Sequence, residues 1–222
     1  MEKARILCCS DIHGHAEAFR GLLRAARWRP GEDSLILLGD YIDRGPDSRR
    51  VVAEVKTLLR CPGVFALRGN HEQMLADYLD GTMSGFRYLA NGGDATLAEY
   101  RDDEDALLRD AAFLKRLPLY HETEEYIFVH AGLMPGVPLR QQSQRDMLWI
   151  RDEFIRGYRG KTVVFGHTPT PYISGEPGVY LGRDKIGIDT GVAYGGHLSM
   201  LELDSKQVYT ARGDRGGRGG LV

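Results

Sequence analysis

"VFALRGNHEQML", Val64 to Leu75, passes from an apolar run to arginine, glycine, asparagine, histidine and glutamate within a few residues. The apolar run, bounded by turn residues, reads as a buried strand, and "QMLADYL" beyond it has helical spacing. Gly69, Asn70 and His71 therefore fall where a strand becomes a helix. In open α/β sheets ligands bind at that end of the strands. One polar tip alone is an ordinary turn, so the reading depends on whether other strands end in the same way.

Two upstream segments do. "ARILCCSDIHG", Ala4 to Gly14, and "SLILLGDYIDRG", Ser34 to Gly45, each run from an apolar strand into a polar tip, with the helix-like "AEAFRGLLRAAR" between them and "SRRVVAEVKTLL" after the second. Strand, helix, strand, helix, strand describes βαβ units and implies a parallel layer. Residues from about 77 to 116 carry charge and helical spacing, as in "DATLAEY" and "DALLRDAAFLKRL", and read as a helical insert packed beside the sheet. "PLYHETEEYIFVHAG" and "GKTVVFGHTPT" resume the pattern of strand followed by polar tip. In the final third, "GVYLGRDKIGIDTGVAYGGHLSMLELDSKQVYTA" has short β-rich runs between glycine and charged turns, which predicts antiparallel strands in a second sheet layer. One domain over residues 1–211 is expected, followed by a mobile arginine–glycine tail, "RGDRGGRGGLV", over 212–222.

Composition narrows the function classes. With 222 residues, 42% of them hydrophobic, the chain is long enough for one substantial core. A formal charge of −2 offers no general attraction for nucleic acid or an anionic membrane, so neither is expected as a partner and any anion site must be local. Cys8, Cys9 and Cys61 form no C-x-x-C pair, and adjacent Cys8 and Cys9 point to opposite faces of a strand; a reducing, cytoplasmic setting is expected. No run of roughly 18 apolar residues occurs, and the first apolar run is too short for a signal peptide.

Five strand ends carry chemistry: Asp11 with His13; Asp40 with Asp43 and Arg44; Asn70 with His71 and Glu72; His130; and His167. In extended chain, Asp11 and His13, two apart, would share one side. Three aspartates, a glutamate, four imidazoles and an amide make a mixed nitrogen and oxygen donor set without thiolate, suited to Mn²⁺, Fe or Zn²⁺. Taken singly, an aspartate after a strand is a helix cap or turn residue; five such tips are not explained by caps.

Taken in order, "SDIHG", "GDYIDRG", "RGNHE", "HAG" and "GHT" resemble the motifs of the calcineurin-like metallophosphoesterases, and "DRG" with "GNHE" resembles their phosphoprotein phosphatase branch. The resemblance implies a four-layer α/β/β/α sandwich of two mixed sheets flanked by helices, and two divalent metal ions, Mn²⁺ first with Fe or Zn²⁺ as alternatives. It implies that Asp11 and His13 bind the first ion, that Asp40 bridges both, and that Asn70, His130 and His167 complete the second. His71 matches the general acid, Asp43 the carboxylate that orients it, and Arg44 a phosphate-binding arginine. "LWIRDEF" supplies Arg151 as the second such arginine, with Asn70 also facing substrate. The implied reaction is in-line attack of a metal-bridging hydroxide on a phosphate monoester, without a phosphoenzyme.

A serine/threonine phosphoprotein phosphatase is the leading expectation. Symmetrical diadenosine tetraphosphate hydrolase is the enzymatic alternative, and a silent domain that only binds is the non-enzymatic one. The sequence departs from the usual pattern at Ser10, where many members have glycine, and at His15, read as a solvated helix start. "GYRGKTVVFG" is not a nucleotide P-loop, because Ile155 stands where its first glycine belongs and the strand follows the lysine. No cysteine has the setting of a phosphatase nucleophile. "NGGDATL" reads as a glycine turn leading into a capped helix.

Overall fold

The computed structural model describes residues 4–214. The chain begins with β1 (Ile6–Cys9), α1 (Ala16–Ala25), β2 (Ser34–Leu37), α2 (Ser48–Leu58) and β3 (Val64–Ala66). Helix α3 (Asn70–Leu79) follows β3, and α4 (Gly85–Ala90), α5 (Gly93–Glu99) and α6 (Glu104–Lys115) lie in the stretch 77–116 where the helical insert is expected. Then come β4 (Tyr120–Glu122), β5 (Tyr126–Val129), α7 (Gln144–Trp149), α8 (Asp152–Gly157), β6 (Thr162–Phe165) and α9 (Pro171–Ser174). The last strands are β7 (Tyr180–Leu181), β8 (Lys185–Gly187), β9 (His197–Glu202) and β10 (Val208–Arg212).

Two five-stranded mixed sheets result, in the orders β10-β9-β1-β2-β3 and β4-β5-β6-β8-β7. In the first, β1, β2 and β3 are parallel, with Leu7 beside Leu35 and Leu35 beside Val64, while β9 and β10 run antiparallel. In the second, β5, β6 and β8 are parallel between the antiparallel edges β4 and β7.

Strand alternation sorts the core into layers. Leu7, Cys9, Leu35 and Leu37 face the helices and pack with Phe19, Leu22, Val51, Val55, Met74 and Leu114. Cys8 and Ile36, one residue out of phase, face the second sheet and meet Phe128, Val164 and Ile186. On that sheet's far side, Ile127, Val129, Val163 and Phe165 pack with Met147 and Phe154 from α7 and α8. Helix, sheet, sheet, helix is the expected sandwich. A fully buried phenylalanine such as Phe128 contributes roughly 2–3 kcal/mol by leaving water.

Two expectations are corrected. The final third is not one second layer: β7 and β8 join the second sheet, whereas β9 pairs with β1 and, with β10, completes the first. Alternation shows that β9 has two apolar faces but carries no information on which strand it will pair with. The tail expected from 212 is held through 214. Arg212 ends β10 opposite His197, and the Asp214 carboxylate accepts the N–H groups of Glu17 and Ala18, each at 2.9 Å, capping α1. Residues 215–222 of that tail lie outside the described residues.

Candidate active site

The polar tips all leave the sheets at one end, tied to each other through backbone bonds. Asp11, His13 and Gly14 donate N–H to the carbonyls of Gly39, Asp40 and Tyr41 at 3.1, 2.9 and 2.8 Å, which fixes the loop after β1 on the loop after β2. Gly166 N–H donates to His130 O at 2.7 Å between the ends of β6 and β5 in the second sheet, and His130 Nδ1 donates across to Leu38 O, just past β2 of the first, at 2.9 Å. Thus all five tips converge.

These loops are backbone-strained where the chemistry lies. Among the described residues, eight that are not glycine have positive φ, and six of them are Asp11 (52°), His13 (45°), Asp40 (55°), Asp43 (71°), Arg44 (71°) and His167 (62°). Left-handed backbone costs a non-glycine residue free energy that persists only where the surroundings over-determine it, as at functional sites. This corrects the extended geometry expected for Asp11 and His13: they sit in left-handed backbone, and the loop after β2 aims them.

Asp40 is the hub. His130 Nε2 lies 3.4 Å from its Oδ1, while His13 Nε2 and His71 Nε2 lie 3.7 and 3.9 Å from its Oδ2. Two groups of buried donor atoms form around it, one of His13, Asp40 and His71 and one of Asp40, His130 and His167, the atoms of each within 4.8 Å of one another. Asn70 belongs with the second, its Oδ1 being 2.8 Å from both His130 Nε2 and His167 Nδ1. Asp11 belongs to neither group, and its carboxylate accepts His167 N–H at 3.0 Å and the Ser10 hydroxyl.

The tautomers test whether cations fit. His13 Nδ1 faces the Ile42 carbonyl at 2.9 Å and His130 Nδ1 faces that of Leu38; a carbonyl only accepts, so each ring carries its proton there. Both Nε2 atoms then present lone pairs toward Asp40 oxygens, and that of His130 also faces Asn70 Oδ1. At His130 acceptors converge without a proton between them, which fits a cation, whereas the His13 lone pair is also met by Arg44 Nη1 at 3.0 Å; the carbonyl bonds hold both rings in the ligating tautomer. Burial keeps His13, His71, His130 and His167 below the usual imidazole range, with the Arg44 charge adding to the effect on His13 and His71. Neutral imidazole is the form that binds metal. Burial, with the Asp11 and Glu72 charges, pushes Asp40 well above the usual carboxylate range; a bound cation reverses such a shift.

Beside the hub, His71 Nδ1 is 2.7 Å from Asp43 Oδ2, and both side chains are buried. Arg44, half-buried, points Nη1 at His13 Nε2 at 3.0 Å and lies over the exposed Tyr194 ring at 4.9 Å. Arg151, at the start of α8, is exposed and donates to Thr168 Oγ1 at 3.2 Å, and its charge reaches His130 and His167. Two guanidinium groups thus flank the donor cluster from opposite sheets.

Comparison with known proteins agrees with this geometry. The model of the calcineurin-like phosphoesterase family matches residues 4–198. The chain belongs to that family. It is 33% identical over 207 residues to "Serine/threonine-protein phosphatase 1" of Salmonella typhimurium, covering 87% of this chain and 89% of that one. It is 36% identical over 126 residues to the symmetrical bis(5'-nucleosyl)-tetraphosphatase of Dechloromonas aromatica, covering 56% of this chain and 42% of the relative. A crystal structure provisionally described as a diadenosine tetraphosphatase superposes with a TM-score of 0.75 at 25% identity, covering 96% of each chain. A calcineurin-like phosphoesterase is a hydrolase of phosphoesters, and its clustered side chains are candidate metal ligands.

Several residues in and around the site have places that sequence alone does not assign. Glu72, fully buried, accepts the N–H groups of Asp40 and Gly69 on Oε2 at 2.9 and 2.8 Å and that of Tyr41 on Oε1 at 2.8 Å, holding the hub's loop in place. It stood in the quoted "RGNHE" tip without a role. Asp189 is buried near Asp11, whose charge adds to burial in raising it. Tyr88 and Thr96 reach Asp43 from the insert. His15 is buried rather than solvated, because its Nδ1 accepts Asp214 N–H at 2.9 Å under the chain's C-terminal segment. The P-loop-like lysine, Lys161, pairs with Glu122 at 2.9 Å and is a structural tie. Cys8 and Cys9 are buried, and burial raises both thiols, so neither is a nucleophile.

Proposed function

We propose that this calcineurin-like phosphoesterase is a dinuclear metal-dependent phosphatase that hydrolyses phosphate monoesters, with phosphorylated serine or threonine of a protein as its substrate class. The convergence of imidazole lone pairs on the two oxygens of one carboxylate, Asp40, carries this reading. Asp11, His13 and Asp40 would hold one ion; Asp40, Asn70, His130 and His167 would hold the other. Manganese suits these mixed oxygen and nitrogen donors, with iron or zinc as alternatives. When bound, such a pair lowers the pKa of a water nucleophile and neutralises phosphoryl charge.

The chain's own residues do the rest. Arg44 and Arg151 present planar donor forks to phosphoryl oxygens, in a way a lysine would not reproduce. His71 donates a proton to the leaving ester oxygen as the P–O bond breaks, so that the alcohol departs neutral. Burial disfavours the charged ring, so its acid form exists against two partners that favour it, the Asp43 carboxylate and the dianionic substrate. Asp43 also fixes the ring so that Nε2 faces the reacting centre.

The match to the Salmonella phosphatase over 87% of this chain and 89% of that one supports the protein substrate. Hydrolysis of symmetrical diadenosine tetraphosphate is the second reading, favoured by the crystal structure that covers 96% of this chain. Manganese-loaded protein assayed on a phosphoserine peptide and on diadenosine tetraphosphate separates them. A higher kcat/KM on the peptide is expected; the reverse order assigns the dinucleotide, and no hydrolysis of either or of an aryl phosphate leaves a binding module.

A further inference from the structure

Helices α4 to α6 of the insert have no role in the reading above, yet two of their side chains end on the carboxylate that holds His71. Asp43 spends its two oxygens differently. Oδ2 takes His71 Nδ1 at 2.7 Å. Oδ1 accepts the Tyr88 hydroxyl from α4 at 2.8 Å and the Thr96 hydroxyl from α5 at 2.6 Å. Thr96 Oγ1 also accepts Asp43's own N–H at 2.9 Å, so one side chain grips both the backbone and the carboxylate of this residue. All three side chains are buried: Asp43 and Thr96 are 0% exposed, and so is Tyr88.

The insert is fastened at the places such a grip requires. Gly92 O accepts Arg44 N–H at 3.0 Å, and Gly92, with φ of 90°, lies so close that a Cβ there would fall 2.6 Å from Arg44 Cγ. Gly93 lets the Tyr88 ring pass, since a Cβ would stand 2.5 Å from it. Tyr88 is further stacked on Tyr78 with ring centroids 5.1 Å apart. At the other end of α5, Glu99 accepts the N–H groups of Ser48 and Arg49, each at 2.8 Å, which anchors α5 to the start of α2 just beyond the Asp43 loop. A carboxylate free to rotate offers either oxygen to any donor. One whose Oδ1 is saturated by two fixed hydroxyls keeps Oδ2 for the imidazole.

We propose that Tyr88 and Thr96 are positioning residues for the proton donor: the insert uses their hydroxyls to lock the Asp43 carboxylate so that His71 is held with Nε2 toward the leaving group. The inference rests on the acid role of His71 proposed above. It assigns the "NGGDATL" stretch to placing Thr96, not to binding an anion.

The test is the ratio of kcat for phenyl phosphate, a poor leaving group that needs the acid, to kcat for 2,4-dinitrophenyl phosphate, which does not. General damage to the site lowers both rates and leaves the ratio unmoved. Tyr88→Phe and Thr96→Val each lower the ratio roughly tenfold, and the pair together about a hundredfold, within the ~10²–10⁴ that a placed general acid supplies. KM stays within about twofold, and Thr96→Ser, which keeps the hydroxyl, restores the ratio. A second measurement needs no turnover: in side-chain ¹⁵N spectra the His71 Nδ1–H resonance shifts in the double variant toward that of a solvent-bonded imidazole. An unmoved ratio and an unmoved resonance in folded Tyr88→Phe, while His71→Asn collapses the ratio, overturn the positioning role alone. An unmoved ratio in His71→Asn overturns the acid reading and the positioning role with it.

Discussion

His71 and Asp43 share a 2.7 Å hydrogen bond in a setting where both side chains are at most 1% exposed. Burial raises Asp43 to about 7 against the lowering effect of the Thr96 and Tyr88 hydroxyls, and lowers His71. Burial thus works against the charged ring, and the Asp43 carboxylate and an approaching phosphate dianion are the partners that favour it. His71→Asn is therefore expected to cut kcat on an alkyl phosphate by about 10²–10⁴ while metal content, read by elemental analysis, stays at the wild-type level. Unchanged alkyl phosphate turnover would remove His71 from the acid role.

Asp40 is approached by three imidazoles, at 3.4, 3.7 and 3.9 Å. No other carboxylate among the described residues belongs to both donor groups. In the proposed centre each oxygen of Asp40 would face one ion, and Asp40→Asn would replace one of those oxygens with an amide N–H₂ that would repel its ion. Manganese titration followed by calorimetry is expected to show one site lost outright and the other weakened beyond the ~10–100-fold that loss of an outer hydrogen-bond partner costs. Two sites of wild-type affinity in the variant would mean that the donor groups bind independently.

Glu72 acts on the same hub through the backbone. Its two oxygens satisfy three N–H groups that have no water to turn to. In Glu72→Gln the oxygen can serve Asp40 and Gly69, which leaves the amide nitrogen facing the Tyr41 N–H. An unsatisfied buried donor costs ~1–3 kcal/mol, so Tm is expected to fall by roughly 2–10 °C. Manganese affinity should fall with it because the Asp40 loop loses its anchor. A variant with wild-type Tm and weakened metal binding would show that Glu72 acts through its charge rather than its hydrogen bonds.

The five tips were legible because a polar residue straight after an apolar run stands out against local pattern, and because each tip is continuous in sequence. Tyr88 and Thr96 were not, since they lie in ordinary helical stretches and their partner Asp43 is 45 and 53 residues away. The α/β/β/α layering was an expectation of the family resemblance, while the assignment of β9 to the first sheet was not read from sequence, because an apolar strand face does not encode its neighbour. The left-handed backbone of Asp11 and His13 was equally hidden. It is imposed by the Gly39 and Asp40 carbonyls that receive their N–H groups, a tertiary constraint with no local signature.

Away from the site, Asp33 ties the start of the first sheet together and sets a pH dependence. Its buried carboxylate accepts Arg5 Nη2 and Arg29 Nη2, each at 2.7 Å, and the backbone N–H of Arg29 at 3.0 Å. Burial alone would raise Asp33, but the hydrogen bonds from Arg29 and Arg5 outweigh it and hold the group well below the usual carboxylate range. A carboxylate depressed by folding contributes its stability in full above the unfolded value, about 3.9, and loses it as pH falls toward the folded one. Asp33→Asn leaves two guanidinium groups facing a neutral amide, and because both are partly exposed and keep second partners in Glu202 and Glu32, the loss of the charged hydrogen bonds costs about 1.5–3 kcal/mol at pH 7. Urea unfolding of both proteins should show that gap narrowing by about 1.4 kcal/mol for each pH unit below ~4. Because other acid-titrating groups are common to the two proteins, the difference isolates Asp33. A gap that stayed constant from pH 7 to pH 3 would mean that the carboxylate's hydrogen-bonding shape, not its charge, stabilises this corner of the sheet.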